Sequence, residues 1–101
     1  MADGAGLCMN IIGRFEVAGI KFRAESFANA QVKLDDVLRL VPEPTNLHDP
    51  NAIGVYKGET LIGYVPRKDT KHYAEPVAKG TVQCIVEATM RQGCWVRVEV
   101  V

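Results

Sequence analysis

What this 101-residue chain lacks narrows it first. No apolar run approaches the ~20 residues that cross a bilayer as a helix, and the opening MADGAGLCMN has no basic, apolar, small-residue signal pattern. The expectation is an intracellular protein, cytoplasmic or nuclear, with a bacterial or phage source left open. Cysteine is scarce: Cys8, Cys84 and Cys94 stand far apart with no CxxC pair, which reads as reduced thiols and not as a disulfide frame or zinc site. An excess of either charge is missing too, since 12 Lys and Arg balance 12 Asp and Glu. Binding long nucleic acid by charge alone is thereby excluded, because such affinity comes from neutralising many phosphates. Any nucleic-acid role must involve few nucleotides and a local basic patch. Ser26 is the only serine and lacks a GxSxG elbow, and no glycine-rich phosphate loop appears.

What is present is a globular composition, 48% hydrophobic and 24% charged. Residues 1–9, with Gly4 and Gly6, read as a flexible leader, and 10–101 as one domain. Ile11–Val17 is β-branched and aromatic and reads as a strand, broken by Gly19 before a further strand-like piece, Ile20-Lys21-Phe22. Residues 23–33 read as a loop with a short helical or bulged piece. Asp35-Asp36 forms a turn into a strand Val37–Val41, which Pro42 and Pro44 end because proline supplies no ladder donor. A hairpin follows, Ala52–Tyr56 and Leu61–Val65 around Lys57-Gly58-Glu59-Thr60. Pro66 opens a helical stretch that Pro76 divides into two short helices, about 68–74 and 76–79, stopped by Gly80. Thr81–Ala88 and Trp95–Val101 alternate as closing strands. Val82, Cys84, Val86 and Ala88 share one inner face, and Val96, Val98 and Val100 another, leaving Trp95 outward with Arg97 and Glu99. Many short strands with one helical insertion define a mainly β protein, a small β-barrel.

The chemistry concentrates in Asn46-Leu47-His48-Asp49-Pro50-Asn51. A metal reading fails on spacing, since His48 and Asp49 are adjacent and His72 lies in the helix. A catalytic dyad needs a separate group to orient its base, and none is apparent. Binding is better supplied. Arg67, Lys68, Lys71 and His72 cluster where a helix begins, an end that welcomes a phosphate, although a solvated helix face has the same composition. Lys21-Phe22-Arg23 interleaves charge with a ring, as base-stacking surfaces do, unless Phe22 is a core ring. Trp95 beside Arg97 is a second candidate platform, or else a cap on the barrel. Asn51 reads as a turn former whose side chain bonds backbone.

The run Glu43-Pro44-Thr45-Asn46-Leu47-His48-Asp49-Pro50-Asn51-Ala52-Ile53-Gly54-Val55, followed by Ile62-Gly63-Tyr64-Val65-Pro66-Arg67, resembles the HIRAN domain family. That family carries E-P-x-N-x-x-D-x-N-A-hydrophobic-x-V and then hydrophobic-G-(H or Y)-hydrophobic-P-(R or K). Val17-Ala18-Gly19-Ile20-Lys21-Phe22 matches its earlier element, so the resemblance spans roughly residues 15 to 100. It implies a modified OB-like or SH3-like β-barrel that binds single-stranded DNA at a free 3′-hydroxyl, without catalysis or cofactor. It also implies a setting in DNA repair or replication-fork processing, with a helicase or nuclease as partner. Carried over by position, Lys21 and Phe22 hold phosphate and stack on a terminal base. Asn46 and Asp49 form the loop, with Asp49 accepting the 3′-hydroxyl proton, Tyr64 and Arg67 make further contacts, and Trp95 is a candidate for the aromatic near the C-terminal strand. On charge alone, Lys21, Arg67 and Lys71 are the cations for phosphates further back.

This sequence departs from the family pattern at His48, where a vertebrate member has a stacking tyrosine, at Thr45, and at Phe22, which lacks a tyrosine hydroxyl. Elementary chemistry agrees with the role given to Asp49. An ionised carboxylate is acceptor-only, so it takes a terminal hydroxyl and repels a terminal phosphate. The alternatives left open are a protein-interaction barrel without DNA binding and a metal-assisted nuclease accessory.

Overall fold

The apolar, β-branched runs become six strands: β1 (Ile11–Glu16), β2 (Val37–Pro42), β3 (Ile53–Lys57), β4 (Thr60–Tyr64), β5 (Val82–Met90) and β6 (Gly93–Val100). The computed structural model describes residues 10–101, so the leader expected over 1–9 lies outside the described residues. The strands form one antiparallel sheet in the order β1-β6-β5-β2-β3-β4. Its two edges approach each other beyond β1, where Ala18 and Tyr64 exchange two backbone hydrogen bonds of 2.7 and 2.9 Å. The sheet is thus curled toward an OB-like barrel and joined by one bridge instead of a ladder.

Gly63 is what lets the edges meet. A Cβ there would stand 2.5 Å from Val17 Cγ1 and 2.6 Å from the Ala18 carbonyl oxygen, so no side chain fits beside the bridge. The core within the curl includes Phe15, Val55, Ile62, Val86, Val96 and Val98, all buried. Cys84 and Cys94 belong to it as small hydrophobes. Burial pushes the Cys84 thiol far above its ordinary range and the Cys94 thiol to about 11, so both stay protonated at neutral pH.

Two helices fill the gaps. Gly19, at φ 80°, turns the chain sharply, and Ile20–Arg23 becomes a 3₁₀ turn instead of the expected strand piece. That turn buries Ile20 but swings Phe22 into solvent, and α1 (Ala24–Ala30) follows directly. At the other end Arg67–Asp69 makes a 3₁₀ entry into α2 (Thr70–Lys79), which runs unbroken through Pro76 where two helices were expected. Pro76 lies in the last turn, where it removes one rung, and its own carbonyl accepts from the backbone N–H groups of Gly80 and Thr81. Tyr73 anchors α2 by tilting against Phe15 with ring centroids 5.5 Å apart. Gly13 of β1 leaves room for the Tyr73 ring.

Two details of the closing strands differ from simple alternation. A bulge between Val86 and Ala88 shifts the register, so Ala88 pairs with outward Trp95 instead of continuing the inner face. Val100, expected inside, is 45% exposed because it ends its strand at the rim. No helix among the described residues is long and apolar enough to cross a membrane.

Candidate functional site

The polar loop after β2 is folded by its own side chains. Asn46 Oδ1 accepts the backbone N–H groups of His48 (2.8 Å) and Asp49 (3.1 Å). Asp49 Oδ1 accepts the N–H of Asn51 at 2.9 Å, and the Asp49 carbonyl accepts that of Ala52 at 3.0 Å. These are Asx-type turns in series. The turn-forming role expected of the Asn51 side chain therefore falls to Asn46 and Asp49. Asn51 contributes its backbone, and its side chain makes no protein hydrogen bond among the described residues. The physical reason is direction: the acceptor must precede the N–H groups it gathers.

Glu43 holds this loop to the barrel. Its carboxylate accepts from Asn46 Nδ2 (3.0 Å), from the Tyr64 hydroxyl (3.1 Å) and, at 3.4 Å, from the Tyr56 hydroxyl. Gly54 provides the space, since a Cβ there would lie 2.9 Å from Glu43 Oε2. Burial, then the Glu43 hydrogen bond, raises the Tyr64 hydroxyl above its ordinary pKa, so it remains a donor. Glu43 was not among the residues singled out by sequence, although it opens the family-like motif.

On one side of the loop lies a cleft of about 350 Å³ at the barrel seam. Asn46, His48 and Asp49 of the loop line it, with the bridged pair Ala18 and Tyr64 at the seam and two cations, Arg23 and Arg67. The Arg23 guanidinium sits 5.7 Å from the Tyr64 ring centroid. Arg67 Nε lies 3.5 Å from Asp49 Oδ2, with the arginine 81% and the aspartate 20% exposed. This is a loose pair with an exposed partner, weak as a stabiliser. Asp49 thus presents one oxygen fixed by a backbone N–H and one directed at a cation.

Of the sequence-derived candidates, Asn46, His48, Asp49, Tyr64 and Arg67 meet in this cleft. Lys21 and Phe22 sit on the 3₁₀ turn that ends in Arg23; Phe22 is 81% exposed, which removes the core-ring reading, and Lys21 Nζ lies 5.2 Å from its centroid. Lys71 does not line this cleft but an adjoining groove, which shares His48, Asp49, Ala52 and Arg67 with it. His72, grouped with the helix-start cations by sequence, instead bonds the Ile12 carbonyl through Nε2 at 2.9 Å. Trp95 is exposed on β6 opposite Glu16 and lines neither depression. Arg23 was missed, and its signal was the Lys21-Phe22-Arg23 interleaving itself.

These features define a small antiparallel β-domain whose one-bridge seam carries a polar loop, an acceptor carboxylate and flanking cations. The HIRAN domain model matches residues 12–98, and the chain belongs to the HIRAN domain family. Among solved structures it is similar to a protein from Lactobacillus plantarum, with a TM-score of 0.75 and 22% identity over 89% of this chain and 95% of that one. It is also similar to the HIRAN domain of human HLTF, with a TM-score of 0.70 and 15% identity over 90% of this chain and 77% of that one. Both likenesses carry the fold. No curated protein matches the chain.

Proposed function

We propose that this chain is a non-catalytic module that binds the end of a single DNA strand and reads its free 3′-hydroxyl. The observation that carries the reading is the Asp49 carboxylate, fixed through Oδ1 by the Asn51 N–H and facing Arg67 Nε with Oδ2. A terminal hydroxyl donates to Oδ2, while a terminal phosphate meets a carboxylate of like charge. Arg67, released from its loose pair, serves the last internucleotide phosphate. Arg23 and Lys21 serve those before it. Phe22 and His48 offer faces for the terminal bases, stacking worth roughly 1–3 kcal/mol per base. The glutamate below, Glu43, keeps Asn46 and Tyr64 in place.

A site this short grips few nucleotides, so attachment to a helicase or nuclease acting in repair or at replication forks supplies the avidity. Fluorescence anisotropy with a labelled decathymidylate tests the end reading. The 3′-hydroxyl form is expected to bind at least tenfold more tightly than the 3′-phosphate form. Asp49→Asn, which keeps the Asn51 acceptor, is expected to collapse that ratio. Equal binding of both oligonucleotides by the unaltered chain sinks the mechanism.

A further inference from the structure

Beyond the Asp49–Arg67 pair the surface opens into a second, larger groove of about 640 Å³, between the polar loop and α2. Its lining includes Pro42, Pro44 and Pro50, the buried Ala52 and Ile53, and the exposed Ala74 and Ala78 of α2. Lys68 and Lys71, one helical turn apart in sequence, line it as well, together with Arg67. The lining contains one acidic side chain, Asp49, already opposite Arg67. Neither Lys68 nor Lys71 pairs with a carboxylate among the described residues.

We propose that this groove is a docking site for an acidic peptide segment of a partner protein, with an aliphatic side chain as its anchor. Charge complementarity selects an anion, because two lysines face a lining with no free carboxylate. The apolar part selects its type. Pro42, Pro44, Pro50, Ala52, Ile53, Ala74 and Ala78 make most of the lining aliphatic, a surface that a branched aliphatic group covers well, and its one aromatic ring, His48, also lines the cleft and is assigned to the strand there. The prolines point the same way: they have no backbone N–H to offer a phosphate. An extended segment therefore lays its aliphatic side chain over Ala74 and its carboxylates against Lys68 and Lys71. This goes beyond the DNA reading and does not depend on it: His48, Asp49, Ala52 and Arg67 line both depressions, but Lys68, Lys71 and Ala74 line this groove and not the cleft at the seam.

Selection of heptapeptides from a random displayed library against the 101-residue chain tests it. The expected winners carry two or more Asp or Glu around a Leu, Ile, Val or Met. As free labelled peptides they are expected to lose at least tenfold in affinity for Ala74→Glu and for Lys68→Glu. The 3′-hydroxyl decathymidylate is expected to bind Ala74→Glu within twofold of the unaltered chain. Lys68→Glu decides if Ala74→Glu fails to fold. Absence of an acidic–aliphatic class, or equal binding to the folded variants, overturns the proposal. Competition between the peptides and decathymidylate, together with a tenfold loss of the oligonucleotide on Ala74→Glu, overturns it in favour of a nucleic-acid groove.

Discussion

The outer face of β1, β5 and β6 and the loop side of the barrel carry charges in comparable numbers but organise them oppositely. On the sheet face, Arg14 Nε donates to Glu87 Oε1 at 2.8 Å, and Arg97 lies between Glu87 (3.5 Å) and Glu99 (2.9 Å). Gln83 completes the row by donating to Glu99 Oε1 at 3.1 Å. The Arg97 guanidinium, then Gln83, holds the Glu99 carboxyl below the usual carboxylate range. Each of these four charges, Arg14, Glu87, Arg97 and Glu99, is answered by a neighbour. On the loop side, Lys21 and Arg23 stand near aromatic rings, Arg67 has one loose partner, and Lys68 and Lys71 edge an apolar groove. A net charge of zero thus describes the sum and hides a polarised surface. Cations that have no internal carboxylate are the ones available to an external anion.

The largest expected effect separates the two sides by tolerance to a single methyl. Gly63→Ala forces a Cβ against Val17 and the Ala18 carbonyl at the seam, and is expected to cost about 2–3 kcal/mol in urea unfolding. Next comes the comparison of cations. Arg23→Gln is expected to weaken the 3′-hydroxyl oligonucleotide several-fold and to flatten the log–log salt slope by about 0.7, one single-strand phosphate's worth. Arg97→Gln, on the answered face, is expected to leave both unchanged; an equal slope change for the two variants breaks the comparison. The smallest effect belongs to Glu43→Gln. The amide still accepts through one oxygen but cannot serve three donors as the carboxylate does. Oligonucleotide affinity is expected to fall about two- to threefold, with stability lowered by about 1 kcal/mol.

Local signals were legible wherever chain neighbours settle them. The β3–β4 hairpin follows from its Gly58 turn, and the burial of Cys84 follows from alternation along β5. The strand pieces failed where one residue's backbone redirects the rest: Gly19 in the left-handed region turns Ile20–Arg23 into a 3₁₀ turn. Pro76 misled in the opposite sense, because near a helix end the missing rung costs less than a break. In the cleft, Asn46, His48 and Asp49 were readable since they lie within four residues of one motif. Arg23 on Tyr64 and Glu43 on Tyr64 are contacts between distant segments, which no local pattern announces.

The bridge between Ala18 and Tyr64 has a kinetic corollary. A seam fastened by two hydrogen bonds is the part of a sheet that opens at least free-energy cost, while the long β5–β6 ladder stays shut. The cleft is built across that seam, with Ala18 and Arg23 contributed from one edge and Asp49 and Tyr64 from the other. A ligand lying in it acts as a clasp. It must wait for a shut seam to find its full set of contacts, and once bound it slows the opening that would release it. Occupancy and thermal breathing of the barrel therefore share one coordinate.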